Sequence, residues 1–209
     1  HQFDKPGSHV IEVVTDADSL KADNIFRASI PVWDKVPVLV VNGDPDAEPL
    51  KGETDFLQIA LQPYREGGEK DLTDLLETRV INAVDFSAAA IGQTRVVILA
   101  NVSKLRLGQL NELQTFVKDG GGVLIFGGDQ IDQRWYNDQL LPYGLLPARL
   151  GPLADKRKNT EPFTRIMVQR FDNPALEIFS NPRNGDLASA EIRQWHRTLE
   201  NPDDDLVRP

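Results

Sequence analysis

Three features of the chain predict an α/β protein with a doubly wound, mainly parallel sheet and an amino-terminal antiparallel β-hairpin. The first is a set of short apolar runs without alternation, Val36 to Val41, Arg95 to Ala100 and Val123 to Phe126; strands of this kind are covered by helices on both faces. The second is the helical stripe between the last two runs, which makes a β-α-β unit ending in a glycine turn. The third is the period-two alternation of Ser8 to Val14 and, more loosely, of Ile25 to Trp33, the mark of a strand pair with one buried face.

Taken in order, residues 1–35 read as two strands joined by the polar, Asp-rich stretch Thr15 to Asn24. Two strands alone are marginal in water, so the pair is expected to be the carboxyl-terminal part of a truncated β-sandwich. Val36 to Val41 is the first parallel strand and breaks at Asn42-Gly43-Asp44-Pro45. By analogy with other open parallel sheets it should lie centrally. A helix follows from about Glu53 to Gln62, with Phe56, Leu57, Ala60 and Leu61 on one face and Pro63 as its stop. Arg65 to Asp71 is an exposed loop.

Thr78 to Val84 reads as the second strand, Ser87 to Ile91 as a short Ala-rich helical turn, and Arg95 to Leu99 as the third strand. Leu107, Leu110, Leu113 and Val117 form the apolar stripe of the next helix, which Gly120-Gly121-Gly122 terminates. Val123 to Phe126 is the fourth strand, and a helix is expected from about Gln130 to Leu141. Beyond Gly151 the signals weaken. Phe163 to Phe171 alternates as a strand would, Asn173-Pro174 caps a helical turn ending near Phe179, and Ala190 to Leu199 is one more strand candidate. Asn201 to Pro209 is acidic and expected to fray.

Composition excludes several function classes. The net charge of −9 argues against nucleic acid, which demands clustered Lys and Arg; the one basic cluster, Lys156-Arg157-Lys158, is short and bracketed by acids. With no Cys there can be no disulfide, thiol nucleophile or Cys-based zinc site. No apolar run reaches the roughly 18 residues of a membrane span. The chain starts at His1 without a leader and reads as a piece of a longer protein, with any membrane attachment carried by segments outside it.

In an open parallel sheet, ligands bind outside the carboxyl ends of the strands. Those ends hold Asn42, Asp44, Asn101 and Asp129, and with Asp46, Glu53 and Asp55 they could line an acidic, glycine-opened crevice. A hard cation or the hydroxyls of a sugar would suit such oxygens. The plainer reading is that Asp and Asn sit there as turn formers and helix caps, because no metal-ligand spacing ties them together. Neither glycine cluster matches a Walker loop or a dinucleotide fingerprint, so no cofactor is implied. His1, His9 and His196 belong to no strand end of the parallel sheet, which leaves a nucleophile without a base. Trp33, Trp135 and Trp195 are read as packing residues.

Several stretches carry a likeness to a known family: VLVVNGDP (38–45), the helix start Glu53 to Leu57 with Ala60-Leu61, VVILANV (96–102), LNELQTFVKDGGGVLIFGGDQ (110–130) and LLPARLG (145–151). Residues 36–151 resemble the class I glutamine amidotransferase-like, flavodoxin-like domain in its non-catalytic version, as found in bacterial membrane proteins of the aerotolerance type that can also carry a von Willebrand factor A domain. Residues 1–35 look like the last strands of an immunoglobulin-like domain preceding that module, which leaves 152–209 as an extension packed on the α/β domain. Active members place a glycine-flanked Cys after the strand matching Val123 to Phe126. This chain has Gly127-Gly128-Asp129 there and no downstream His-x-Glu, so no catalytic residue carries over. The resemblance implies a non-enzymatic interaction or scaffolding module, with an unidentified protein partner, in the periplasmic or other extracytoplasmic part of a membrane-anchored bacterial protein. The alternative is a small-ligand or hydrolytic domain that uses the strand-end acids to hold a sugar or a divalent cation.

Overall fold

The computed structural model describes residues 3–15, 24–48, 50–52, 54–65, 74–157, 162–167, 174 and 176–199. Its centre is a four-stranded parallel sheet built from β3 (Val36–Asn42), β4 (Leu76–Asn82), β5 (Val96–Ala100) and β6 (Gly122–Phe126), in the order β4-β3-β5-β6. The first strand in the sequence is therefore interior, hydrogen-bonded to β4 on one side and β5 on the other. The order reverses between β3 and β5, whose carboxyl ends are Asn42 and Ala100.

Why the strands lack alternation is visible in the two apolar clusters. Leu39, Val41, Val97 and Leu99 point to one face and pack with Ala90 and Ile91 of α2 (Ala88–Ile91) and Leu110 and Leu113 of α3 (Leu107–Lys118). Tyr136 and Leu140 complete that cluster from the segment that follows β6. Val38, Val40 and Ile98 point to the other face, against Leu57 and Leu61 of α1 (Asp55–Leu61). The interior strands β3 and β5 thus bury both sets of side chains, as an unalternating run requires; β6 does not, because it is an edge strand whose Leu124 and Phe126 stand half exposed on its uncovered face.

Three members of the expected helical faces lie outside, among them Ala60 of α1. Phe56 is 65% exposed and Leu107 is 63% exposed. At 100° per residue, Phe56 falls roughly 120° from the midline of Leu57 and Leu61, and Leu107 roughly 110° from that of Gln109, Leu110 and Leu113. The buried arc of α3 is centred on the Gln109 side, because Gln109 turns inward: its Nε2 donates to the carbonyls of Ala83 (3.0 Å) and Phe86 (2.8 Å).

Other boundaries also shift. β4 ends at Asn82, and Ala83–Asp85 form a 3-10 turn where strand had been expected. The helix expected from Gln130 is a single α-turn, α4 (Gln133–Trp135), running into a wider π-turn over Tyr136–Leu140. Its start is fixed by Asp132, whose carboxylate accepts from the Trp135 N–H at 3.0 Å. Gly120 stops α3 as predicted, at φ +91°.

The amino-terminal hairpin forms as expected, β1 (Gly7–Val14) against β2 (Ile25–Val32) in antiparallel register. After Gly144 the chain makes β7 (Arg149–Asp155), which pairs antiparallel with β8 (Gln194–Leu199). Only the second half of the predicted Ala190 to Leu199 strand is therefore a strand. Of the strand expected from Phe163 to Phe171, the described residues show one isolated bridge, Thr164 to Ile192, and Val168 to Phe171 lie outside the described residues. The helical turn near Phe179 is a 3-10 turn, Glu177–Ser180, and Asn173 is outside the described residues. Among the described residues no helix is long and apolar enough to cross a membrane.

Candidate functional site at the strand carboxyl ends

The carboxyl ends of β3, β5 and β6 meet at Asn101. Its backbone is left-handed, φ +50°, and its side chain is fully buried. The residue tolerates that conformation because a short amide can bond locally. Its backbone N–H donates to the Phe126 carbonyl (2.9 Å), Nδ2 donates to Asp129 (3.2 Å), and Oδ1 accepts from the Gln130 N–H (2.9 Å). One Asn thereby ties the end of β5 to the turn that leaves β6.

Two glycines exist to admit it. A Cβ on Gly43 would fall well inside the van der Waals shell of the Asn101 carbonyl and the Val102 Cα. A Cβ on Gly128 would collide with the Asn101 side-chain amide. Gly127 has more room, with the Ile131 methyl 3.2 Å and the His196 ring 3.8 Å from the equivalent point. The paired glycines are thus unequal: Gly128 is the one the packing demands.

Asn42 does a similar job at β3. Its Nδ2 donates to the Thr54 hydroxyl (3.1 Å) and its Oδ1 accepts from the Asp44 N–H (3.1 Å), so it anchors both the turn and the start of α1. Thr54 is itself almost wholly buried. Asp55 accepts from the Gly52 N–H at 3.1 Å, a local turn bond. Asp46 accepts from the Glu48 N–H at 2.8 Å, which makes it a turn former on the surface.

Of the residues picked out from the sequence, the structure brings Asn101 and Asp129 into contact and packs Gly43 of the β3 turn on Asn101. Asp44, Asp46 and Asp129 are exposed and do not converge, and Glu53 lies outside the described residues. Among the described residues no three His, Asp or Glu side chains gather as a metal ion would need. Asn42, Asn101 and Asp129 are engaged in holding the walls of the crevice.

One functional expectation is corrected. His196 had been assigned to no strand end, yet β8 carries its ring against Gly127, just past the end of β6. Its Nδ1 lies 3.4 Å from the Gly151 carbonyl. Nothing in the local sequence signals this placement, since it follows from the β7–β8 pairing. Nearby, Tyr136 donates from its hydroxyl to the Val102 carbonyl (2.7 Å), and burial pushes its phenol pKa above the ordinary value. On the outer side of the β7–β8 ribbon, the Arg157 guanidinium pairs with Asp155 at 2.7 Å and holds that carboxyl down to about 2.

At the opposite, amino ends of the strands lies a cleft of about 670 Å³ lined by Trp33, Ile91, Arg95, Glu112 and Phe116. The Arg95 guanidinium stacks 4.2 Å above the Trp33 ring and clasps the hairpin exit to β5. Compared with known proteins, the chain matches no family model, no curated protein and no solved structure.

Proposed function

We propose that the chain is a non-catalytic interaction module of the class I glutamine amidotransferase-like, flavodoxin-like type, from the extracytoplasmic part of a larger membrane-anchored bacterial protein. Its fold-level support is the strand order, second-first-third-fourth, which is that of flavodoxin-like sheets with the crevice at the β3/β5 switch point. In that crevice the place of a nucleophile belongs to Gly127-Gly128-Asp129.

The observation that carries the interaction reading is the apolar hairpin. Ile11, Val13, Phe26, Ala28, Ile30 and Val32 share one face of β1–β2, and Val13 (58%) and Phe26 (67%) stand open to solvent. A two-stranded ribbon with such a face needs a covering layer to be stable. An upstream immunoglobulin-like sheet supplies one, with the α/β domain carried behind it.

Two measurements test the proposal. Purified protein given glutamine should release ammonia no faster than buffer; enzyme-dependent release would overturn the non-catalytic assignment. Hydroxyl-radical footprinting of the chain extended by its natural upstream sequence should show Val13 and Phe26 shielded relative to the chain alone. Equal labelling in both would remove the sandwich reading of the hairpin.

A further inference from the structure

The sheet stops at β6, and the edge it leaves is open in a particular way. The Gly122 N–H donates to the Arg95 carbonyl and the Phe126 carbonyl accepts from the Asn101 N–H, each at 2.9 Å. Residues of a strand alternate in the side to which their backbone groups point. Gly122, Leu124 and Phe126 are therefore bonded to β5, and the N–H and C=O groups of Val123 and Ile125 face away from the sheet. Among the described residues nothing receives them. Such an edge is a template for another strand.

That edge borders a slot of about 680 Å³ rather than open water. Its far wall is the β7–β8 ribbon, and Ile131, Leu145, Leu150, Leu153, Trp195 and His196 make it mainly apolar. His196 against Gly127 closes it at the carboxyl end of β6. On the other side of the strand, Leu124 (51%) and Phe126 (50%) are exposed, so a neighbour lying along β6 would find apolar surface above and below its own plane.

We propose that this slot binds an extended peptide segment of a partner protein, which adds to the sheet as a fifth strand beside β6. Only an extended backbone presents donors and acceptors at the two-residue spacing of Val123 and Ile125, and alternate side chains of that strand enter the apolar slot. Pairing of β6 with the β6 of a second copy fits poorly, because each copy's ribbon stands across its own β6 edge. Charge selects the flanks. The chain as a whole carries −9, yet the ribbon bears Arg149 and Arg197, Lys156 follows directly after β7, and among the described residues none of the three is in an ion pair. The segment that fits is apolar over about the five residues of β6 and acidic at its ends. This goes beyond the interaction reading above and is independent of the hairpin face.

The test uses the whole chain and a capped synthetic peptide of five alternating valines and threonines flanked by paired glutamates. Binding is followed by calorimetry and by amide hydrogen exchange. Saturable binding is expected, with exchange at Val123 and Ile125 slowed roughly tenfold or more. Methylating alternate peptide nitrogens, so that one edge loses its donors, should weaken binding by about tenfold or more, and so should exchanging the glutamates for lysines. Ile125→Pro removes an outward N–H at a position where an edge strand tolerates proline, and should abolish binding. If that variant fails to fold, Leu153→Asp, which puts a charge in the slot, should do the same. Absence of saturable binding, indifference to N-methylation, or protection of Val123 and Ile125 by dimerisation of the chain alone would each overturn the proposal.

Discussion

Replacing Gly128 with alanine tests the account of the strand ends most directly. The new methyl would occupy the space of the Asn101 amide. If Asn101 stays, the collision is overpacking at a buried site, which costs about 1–3 kcal/mol. If Asn101 swings away, it gives up its bonds to Asp129 and to the Gln130 N–H, at about 1 kcal/mol each, and leaves a buried amide unsatisfied at about 1–3 kcal/mol more. The second route comes to about 3–5 kcal/mol, so a loss of about 3 kcal/mol is expected, where the two ranges meet. Urea unfolding should show the midpoint falling with the slope unchanged. The decisive measurement is a double-mutant cycle with Asn101→Gly, a substitution suited to the positive φ. In that background Gly128→Ala meets no side chain and should cost less than about 1 kcal/mol, giving a coupling of about 1.5 kcal/mol or more. Additivity within about 0.5 kcal/mol would refute the idea that Asn101 is what Gly128 accommodates.

Other outcomes follow from the same structure. Leu113→Ala should cost about 2–5 kcal/mol, since Leu113 is fully buried between α3 and the sheet, while Leu107→Ala should stay within about 0.5 kcal/mol; both are read from urea midpoints. Gly43→Ala should be at least as damaging as Gly128→Ala, because its obstacle is the backbone of Asn101 and Val102 and not a side chain. Tyr136 has a folded pKa above its unfolded value of about 10, so its contribution is fully present below pH 10 and lost as pH rises beyond it. Thermal unfolding from pH 9 to 12 should show this alkaline loss, and Tyr136→Phe, though less stable at neutral pH, should flatten it. Asp155 has the opposite sign: held down to about 2, it contributes above its unfolded value near 4 and loses that contribution as pH falls from about 4 to about 2. The effect should be small because the pair is exposed, and Arg157→Ala should remove it.

The sequence made the sheet legible because burial on both faces leaves a distinctive mark, the unalternating runs of β3 and β5; the equally apolar run of β6 misled on burial, since Leu124 and Phe126 stand half exposed. It made α3 legible in phase but not in its first turn, where the inward Gln109, a polar residue, defines the buried arc. The hairpin was readable from alternation alone. The ribbon was not: β7 begins in Arg-Leu-Gly-Pro, with neither strand propensity nor period, and exists because β8, far along the chain, completes it. The same distance hid His196 from the end of β6. At the strand ends the residue types were found, but their roles were not. Asn42, Asn101 and Asp129 looked like an inventory of oxygen ligands, and the structure spends those oxygens on one another and on neighbouring amides.

Three residues, 33–35, join β2 to β3, and Arg95 stacks on the first of them, Trp33. Tension drawn through that junction passes straight into β3, an interior strand that pairs with β4 at all seven of its residues and with β5 at five. A pull along the axis of β3 loads those backbone bonds in shear, all together, whereas a pull on the outer strand β6 would peel its bonds singly. The junction that enters β3 is therefore mechanically the stiff one, and the β6 edge is the one that yields first.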